Sequence, residues 1–103
     1  MDYYVHLHEL AQVELDLIYE TIRDEAGIST ARSYVGGLYD LIEGLAAFPA
    51  RGTVRPGPVP GLRIIGYRRT ASIAFIVEGD QVTILGVFRR GQNVTPQMLK
   101  KRL

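Results

Sequence analysis

The sequence predicts an α+β domain: an N-terminal strand, an antiparallel two-helix hairpin packed on one face of a mainly antiparallel four-stranded sheet, and a short C-terminal helix. Three observations predict it. Apolar residues recur every three or four positions through residues 9–48, prolines interrupt residues 49–61, and apolar runs of strand type fill residues 62–88. The 103 residues are enough for a single domain, residues 1–103, and too few for two.

The N-terminal segment predicts a short strand and then a long amphipathic helix. Apolar and polar residues alternate from Tyr3 to His8, which is the period of a half-buried strand. Over residues 9–26 the apolar residues share one helical face, namely Ala11, Leu15, Ile18, Ile22 and Ala26. Gly27 is predicted to end this helix, because glycine adopts the left-handed cap conformation at little cost.

A second helix is predicted from Ser29 or Thr30, as N-cap, to about Phe48. A connection of two or three residues would make the two helices an antiparallel hairpin. Gly36 and Gly37 lie inside this helix, where each is about 1 kcal/mol less favourable than alanine. We expect close packing against the first helix to compensate for them.

The second half of the chain predicts a crossing loop over residues 49–61 and strands over residues 62–68, 70–77 and 81–88. Gly79 and Asp80 predict a two-residue hairpin turn between the last two strands. Residues 95–103 predict a short helix with Thr95 as N-cap and Pro96 in its first turn.

The last two strands are apolar on both sides. In the final strand, Val82 and Ile84 are expected on one side and Leu85 and Val87 on the other. The helix hairpin can cover only one face of the sheet. The other face is therefore predicted to be an interface for a partner.

Composition excludes several kinds of site. The chain has no cysteine, which removes disulfides, thiolate catalysis and thiolate zinc sites. His6 and His8 share a strand face, but no motif places a third ligand beside them, so we expect no metal. Glycine-rich phosphate loops are also missing, so no cofactor is expected.

Without an apolar segment of about 18 residues or a secretory signal, the expected location is the cytoplasm, without membrane contact.

Charge is divided unevenly along the chain. Residues 1–50 hold two basic and nine acidic side chains, whereas residues 51–103 hold ten basic and two acidic ones. Either the basic half meets an acidic partner or the two halves pack together and neutralise each other, and both can hold at once.

The basic side chains are the main candidates for a functional site. They lie around the first and last strands of the second half, beside one tyrosine: Arg63, Tyr67, Arg68, Arg69, Arg89 and Arg90. Guanidinium groups bind phosphate or carboxylate in a fork geometry. Tyr67 is a weak candidate for a general acid, and neither Glu nor His lies near these arginines in sequence to act as a base. A protein-binding patch is therefore favoured over a catalytic centre, and no catalytic residue is assigned.

Several stretches, in this order and at these spacings, resemble the RelE/ParE superfamily of toxins from type II toxin–antitoxin systems, and its ParE branch in particular. The resemblance spans residues 4–91. The stretches that carry it are AQVELDLIY at 11–19, residues 31–45, FPARGT at 48–53, PGLRIIGY at 60–67, residues 73–75 and VTILGV at 82–87.

The resemblance implies a bacterial toxin that inhibits DNA gyrase and arrests growth, in a system that stabilises plasmids. A ParD-like antitoxin would neutralise it in a hetero-oligomer, and DNA would be contacted only through that antitoxin. The six residues from Arg63 to Arg90 named above are expected to bind the antitoxin or the target.

An alternative implied by the same superfamily is a RelE-like ribosome-dependent mRNA endonuclease. The chain departs from that pattern at three places. Ser72 stands where an arginine is expected early in the penultimate strand, no aromatic residue follows Phe88, and no lysine precedes Lys100. These departures predict that the chain does not cleave mRNA. A non-toxic adaptor domain whose basic half binds a partner is the third possibility.

Overall fold

The computed structural model describes residues 2–103 as one sheet flanked by helices. The strands are β1 (Tyr4–Leu7), β2 (Thr53–Val54), β3 (Arg63–Tyr67), β4 (Ala71–Glu78) and β5 (Gln81–Arg89), and the helices are α1 (Glu9–Ala26), α2 (Ile28–Gly44) and α3 (Pro96–Lys100). The strand order is β1-β5-β4-β3-β2, with β1 parallel to β5 and the other pairs antiparallel. The predicted fold class is confirmed, with a fifth strand, β2, formed inside the predicted loop.

The two helices meet at a single residue. Gly27 has a φ of 96°, its amide donates to the Arg23 carbonyl, and its carbonyl accepts from the Ala31 amide. The predicted N-cap at Ser29 or Thr30 is therefore wrong, because Gly27 both ends α1 and precedes α2. At the other end of α1, His8 is the N-cap and its Nδ1 accepts from the Leu10 amide at 3.0 Å. No helix within residues 2–103 is long and apolar enough to cross a membrane.

The larger core lies between the helices and one face of the sheet. Its fully buried members from α1 and α2 include Ala11, Leu15, Ala31 and Leu38, and those from the sheet include Ile73, Phe75, Val82, Ile84 and Val87. The apolar stripe predicted for α1 supplies four buried residues of this core, Ala11, Leu15, Ile18 and Ile22.

The opposite face of the sheet is covered by the chain itself. Val59 from the proline-rich loop and Leu99 from α3 are each 1% exposed and pack over β4 and β5. The prediction that this face stays open for a partner is therefore wrong. The loop returns across the sheet and α3 lies beside it, so a second, smaller core forms there, with Leu62, Ala74, Ile76, Leu85 and Phe88.

A bulge in β5 changes the face on which its side chains lie. Ala74 pairs with Gly86 and Phe75 pairs with Ile84, so Leu85 is an extra residue between the two pairs. As a result Val87 joins Val82 and Ile84 in the larger core, while Leu85 lies in the smaller one. The predicted placement of Leu85 and Val87 on the same side is wrong for this reason.

Because Gly37 has no side chain, Tyr67 of β3 can pack closely against α2 at this position. A Cβ at this position would lie 2.0 Å from the Tyr67 hydroxyl, whereas a Cβ at Gly36 would meet nothing within 4 Å. The expected packing of these glycines against α1 is therefore replaced, for Gly37, by packing against β3. The Tyr67 hydroxyl reaches through this gap and donates to the Tyr34 carbonyl at 2.8 Å.

Gly37→Ala and Gly36→Ala are a matched pair that tests this contact. Gly36→Ala should raise the free energy of unfolding by up to about 1 kcal/mol, because alanine is the better helix former. Gly37→Ala should lower it by about 1–3 kcal/mol, because the added methyl displaces the buried Tyr67 ring. Urea denaturation measures both, and equal stabilisation by the two substitutions would contradict the contact.

Candidate functional site

Four of the six predicted site residues meet at one end of the sheet. Arg68 and Arg69 form the turn between β3 and β4, and Arg89 and Arg90 follow the buried part of β5. The two pairs are adjacent because Ala71 pairs with Arg89 and the Arg90 amide donates to the Thr70 carbonyl at 2.7 Å. We call these four residues the arginine end.

The turn at the arginine end holds two arginines in an unfavourable backbone conformation. Arg68 has a φ of 50° and Arg69 a φ of 58°, and the Thr70 amide closes the turn on the Tyr67 carbonyl at 2.9 Å. Positive φ at both central positions is the geometry for which hairpins favour Asn and Gly. Each non-glycine residue in this region is disfavoured by roughly 1–2 kcal/mol. Local folding therefore does not explain why arginines stand here.

A pair of tyrosines lies under two of these guanidinium groups. The Tyr34 and Tyr67 rings meet edge to face with centroids 5.1 Å apart. The Arg68 guanidinium lies 5.1 Å from the centre of the Tyr67 ring, and that of Arg89 lies 5.9 Å from the Tyr34 ring. The Tyr34 and Thr70 hydroxyls share a hydrogen bond of 2.7 Å, which ties α2 to the turn. Ring faces thus orient two arginines while leaving their N–H groups free of carboxylates.

The charged halves of the chain remain largely separate. Within residues 2–103 the ion pairs are Arg23 with Asp24, on the same helix, and Glu14 with Arg102. Only the second joins the acidic half to the basic half. The four guanidinium groups of the arginine end have no acidic partner in this part of the chain, so their charge is available to another molecule.

Tyr67 lies beneath the arginine end, and Arg63 lies away from it. The Tyr67 side chain is packed beneath α2, and the residue is 8% exposed. Burial raises the pKa of the Tyr67 hydroxyl above its ordinary value, against an opposing effect of Arg68, so this group is a poorer acid than free tyrosine. Arg63 begins β3 at the other end of the strand, where its Nη1 lies 3.5 Å from the Arg51 carbonyl oxygen. Tyr67 therefore supports the arginine end from below, whereas Arg63 is not part of it.

A groove of about 720 Å³ runs beside the arginine end on the face covered by α3. Arg69, Arg89 and Arg90 line it, together with Arg55 from the proline-rich loop. Its apolar lining comes mainly from Leu62, Ile64, Val94, Leu99 and the prolines at 56 and 96. Arg55 was missed by sequence reasoning, because nothing in residues 49–61 indicates which way the loop crosses the sheet.

The groove carries no pair of groups for proton transfer. The described residues that line it include no carboxylate and no imidazole, and Ser72 is there without a base beside it. What the groove offers is guanidinium groups around an apolar floor. Guanidinium groups are the side chains that bind carboxylate and phosphate groups in a fork geometry.

The chain matches the family model described as the ParE toxin of the type II toxin–antitoxin system parDE, over residues 5–94. It belongs to the ParE toxin family. This confirms the resemblance found in the sequence. A comparison with curated protein sequences returns no match.

Three solved structures share the fold. A chain of the chromosomal ParDE system of P. aeruginosa is similar with a TM-score of 0.73 and 27% identity, over 84% of this chain and 95% of that one. A chain of the RelBE2 toxin–antitoxin complex of Mycobacterium tuberculosis is similar with a TM-score of 0.65 and 19% identity, over 87% of this chain and 100% of that one. A mutant of the E. coli toxin RelE in the free state is similar with a TM-score of 0.60 and 16% identity, over 88% of this chain and 86% of that one. At these last two identities the likeness extends to the fold only.

Arg69→Gly should stabilise the fold while removing a charge from the arginine end. Relief of the positive φ outweighs the extra freedom that glycine gives the unfolded chain, so the free energy of unfolding should rise by about 0.5–1 kcal/mol. Arg90→Gly is the control, since Arg90 is exposed and has no positive φ, and it should be neutral or destabilising. Equal changes in the two urea midpoints would contradict strain at the turn.

Proposed function

We propose that this ParE-family chain is the toxin of a type II system, that it arrests growth by binding DNA gyrase in the cytoplasm, and that a ParD-like antitoxin neutralises it. The family match supports the toxin and its system. The gyrase target and the antitoxin's identity are proposals that follow the family.

The arginine end is the feature that supports a toxin acting by binding its target. Four guanidinium groups share one end of the sheet without acidic partners, and two of them occupy a turn that disfavours them. The groove beside them lacks a base and a general acid. A surface of this kind recognises carboxylate or phosphate groups on a target. A second cavity places Glu14 beside Arg89 and Arg90, but that carboxylate is already bound by Arg102.

The antitoxin is proposed to meet two surfaces. Leu10, Val13 and Leu17 lie on the outer side of α1 and are 44%, 48% and 54% exposed, at the spacing of a helical stripe. Acidic side chains of the antitoxin would pair with the arginine end. Apolar burial would hold the complex together, and charge would speed its association at low salt.

Arg89→Ala with Arg90→Ala is the direct test of this function. Both side chains lie at the end of β5 and outside the two cores, so the variant should keep the wild-type circular dichroism spectrum. Its free energy of unfolding in urea should stay within about 0.5 kcal/mol of the wild type. Inhibition of purified gyrase in a DNA supercoiling assay should weaken more than tenfold, about 1.4 kcal/mol. Lys100→Ala with Lys101→Ala is the matched control, since it removes two exposed charges outside the arginine end and should inhibit as the wild type does.

Two results would overturn the proposal. One is full gyrase inhibition by the folded Arg89/Arg90 variant, which would remove this surface from the function. The other is codon-specific mRNA cleavage in a purified translation system that depends on this chain, combined with no effect on gyrase. That result would establish the endonuclease alternative despite Ser72.

A further inference from the structure

The second cavity, of about 510 Å³, lies on the α1 side of the arginine end. Arg89 and Arg90 line it, as they line the groove on the α3 side, so this pair stands between the two openings. Glu14 of α1 also lines the second cavity, and no other carboxylate belongs to the described lining of either one. A single acidic side chain therefore shares a cavity with two guanidinium groups of the arginine end.

Glu14 is held close to the part of β5 that carries these arginines. Its Oε1 accepts a hydrogen bond from the Val87 amide at 3.1 Å. Val87 and Arg89 lie on the same side of β5, because Val87 joins the larger core and the Arg89 guanidinium lies over the Tyr34 ring. Residues two apart on one face of a strand are about 6.6 Å apart, which a long side chain can span. An unpaired carboxylate at Glu14 would thus have Arg89 within reach.

Arg102 occupies both oxygens of this carboxylate instead. Its Nη1 donates to Glu14 Oε1 at 2.9 Å and its Nη2 donates to Oε2 at 3.0 Å. The two side chains are 9% and 18% exposed, so water competes little for the pair. A two-pronged bond between guanidinium and carboxylate is the strong form of this interaction. The negative charge of Glu14 is therefore neutralised before it can act on Arg89 or Arg90.

The Arg102 guanidinium is also fixed by contacts that do not involve Glu14. Its Nη1 donates to the Leu85 carbonyl at 2.8 Å, and the group lies 5.4 Å from the centre of the Phe88 ring. A Cβ on Gly86 would lie 2.8 Å from Nη1, so this glycine leaves space for the guanidinium. The Arg102 amide donates to the carbonyl of the buried Leu99 at 2.9 Å, which ties its backbone to α3. The structure thus holds this cation in place to receive the carboxylate.

We propose that Arg102 is a positioning residue for the arginine end. By holding both oxygens of Glu14, it keeps this carboxylate from pairing with Arg89 and Arg90, whose guanidinium groups stay free for anionic groups of the target. The proposal rests on the proposed function in one respect, namely that Arg89 and Arg90 bind those groups. Loss of Arg102 makes Glu14 an internal competitor for them, at the high effective concentration of a tethered group.

The test compares Arg102→Gln with the double variant Arg102→Gln and Glu14→Gln, both in the full chain made by cell-free synthesis. The probe is a fluorescently labelled polyglutamate peptide, whose binding is measured by anisotropy. Arg102→Gln should bind it about tenfold more weakly than the wild type, because Glu14 competes for Arg89 and Arg90. Adding Glu14→Gln should restore the affinity to within about threefold of the wild type, since the competing charge is removed.

Lys101→Gln is the matched control for loss of charge alone. Lys101 precedes Arg102 directly, is exposed and belongs to neither ion pair of the described residues. At about 0.15 M salt, where charges further apart than about 8 Å are largely screened, it should change the affinity by less than about twofold. A loss as large as that of Arg102→Gln would contradict the proposal, because net charge would then explain both.

Exchange of the arginine Nε–H protons with water, followed by NMR, tests the pairing without any ligand. In Arg102→Gln the Nε–H of Arg89 or Arg90 should exchange more slowly than in the wild type, because Glu14 now accepts from it. The double variant should lose this protection. If the wild-type chain does not bind the peptide, the anion-binding surface of the proposed function fails, and the exchange measurement still decides for or against Arg102.

Unchanged peptide affinity and unchanged exchange in a folded Arg102→Gln variant would overturn the proposal. So would weaker binding that Glu14→Gln does not restore, because Arg102 would then act through the fold alone. Removing one partner of a largely buried ion pair is strongly destabilising. If Arg102→Gln does not fold, Arg102→Lys replaces it. Lysine lacks the fork and leaves one Glu14 oxygen free, so the affinity should fall about threefold and recover with Glu14→Gln, and an unchanged affinity would contradict the proposal.

Discussion

The extra residue at Leu85 decides on which face of the sheet every later side chain of β5 lies. Because of this bulge, Val87 enters the core under the helices and Phe88 enters the core under α3. Arg89 then returns to the helix side, where its guanidinium lies over the Tyr34 ring. In a regular strand of this length the three side chains would exchange faces. The packing of both cores and the position of the arginine end therefore depend on one irregularity.

The arginine end rests on side chains that belong to the larger core or pack against it. Tyr67 is buried below α2, passes the gap at Gly37 and bonds to the backbone of Tyr34, whose ring supports Arg89. Such a platform orders a long side chain before a partner arrives and so reduces the entropy lost on binding. Tyr67, one of the predicted site residues, thus lies under the guanidinium groups and not beside them.

Local pattern was sufficient for much of the fold. The spacing of apolar residues predicts α1 with the bounds that the structure has, and the glycine at 79 places the β4–β5 turn. The arginines at 68, 69, 89 and 90 could be proposed as a group because each pair stands at a strand end. Gly27 was predicted to end α1, but its second role, as the cap of α2, has no separate signal in the sequence.

Features that depend on distant residues could not be predicted in this way. The alternation of apolar and polar residues along β5 does not reveal the bulge, because Leu85 and Val87 would suit a buried face in a regular strand and in a bulged one. The cover over the second sheet face and the place of Arg55 depend on the path of a proline-rich loop. The pair of Glu14 and Arg102 joins residues 88 positions apart, and each reads in sequence as one more surface charge.

We propose that the arginine end is the surface that meets the target and that the antitoxin covers it. A photo-crosslinking amino acid at position 69 of the active toxin tests this most directly, with the same group at Leu17 for comparison. Illumination should join position 69 to purified gyrase, and adding the antitoxin first should move the crosslink from gyrase to the antitoxin. A gyrase adduct formed from position 17 and not from position 69 would contradict it.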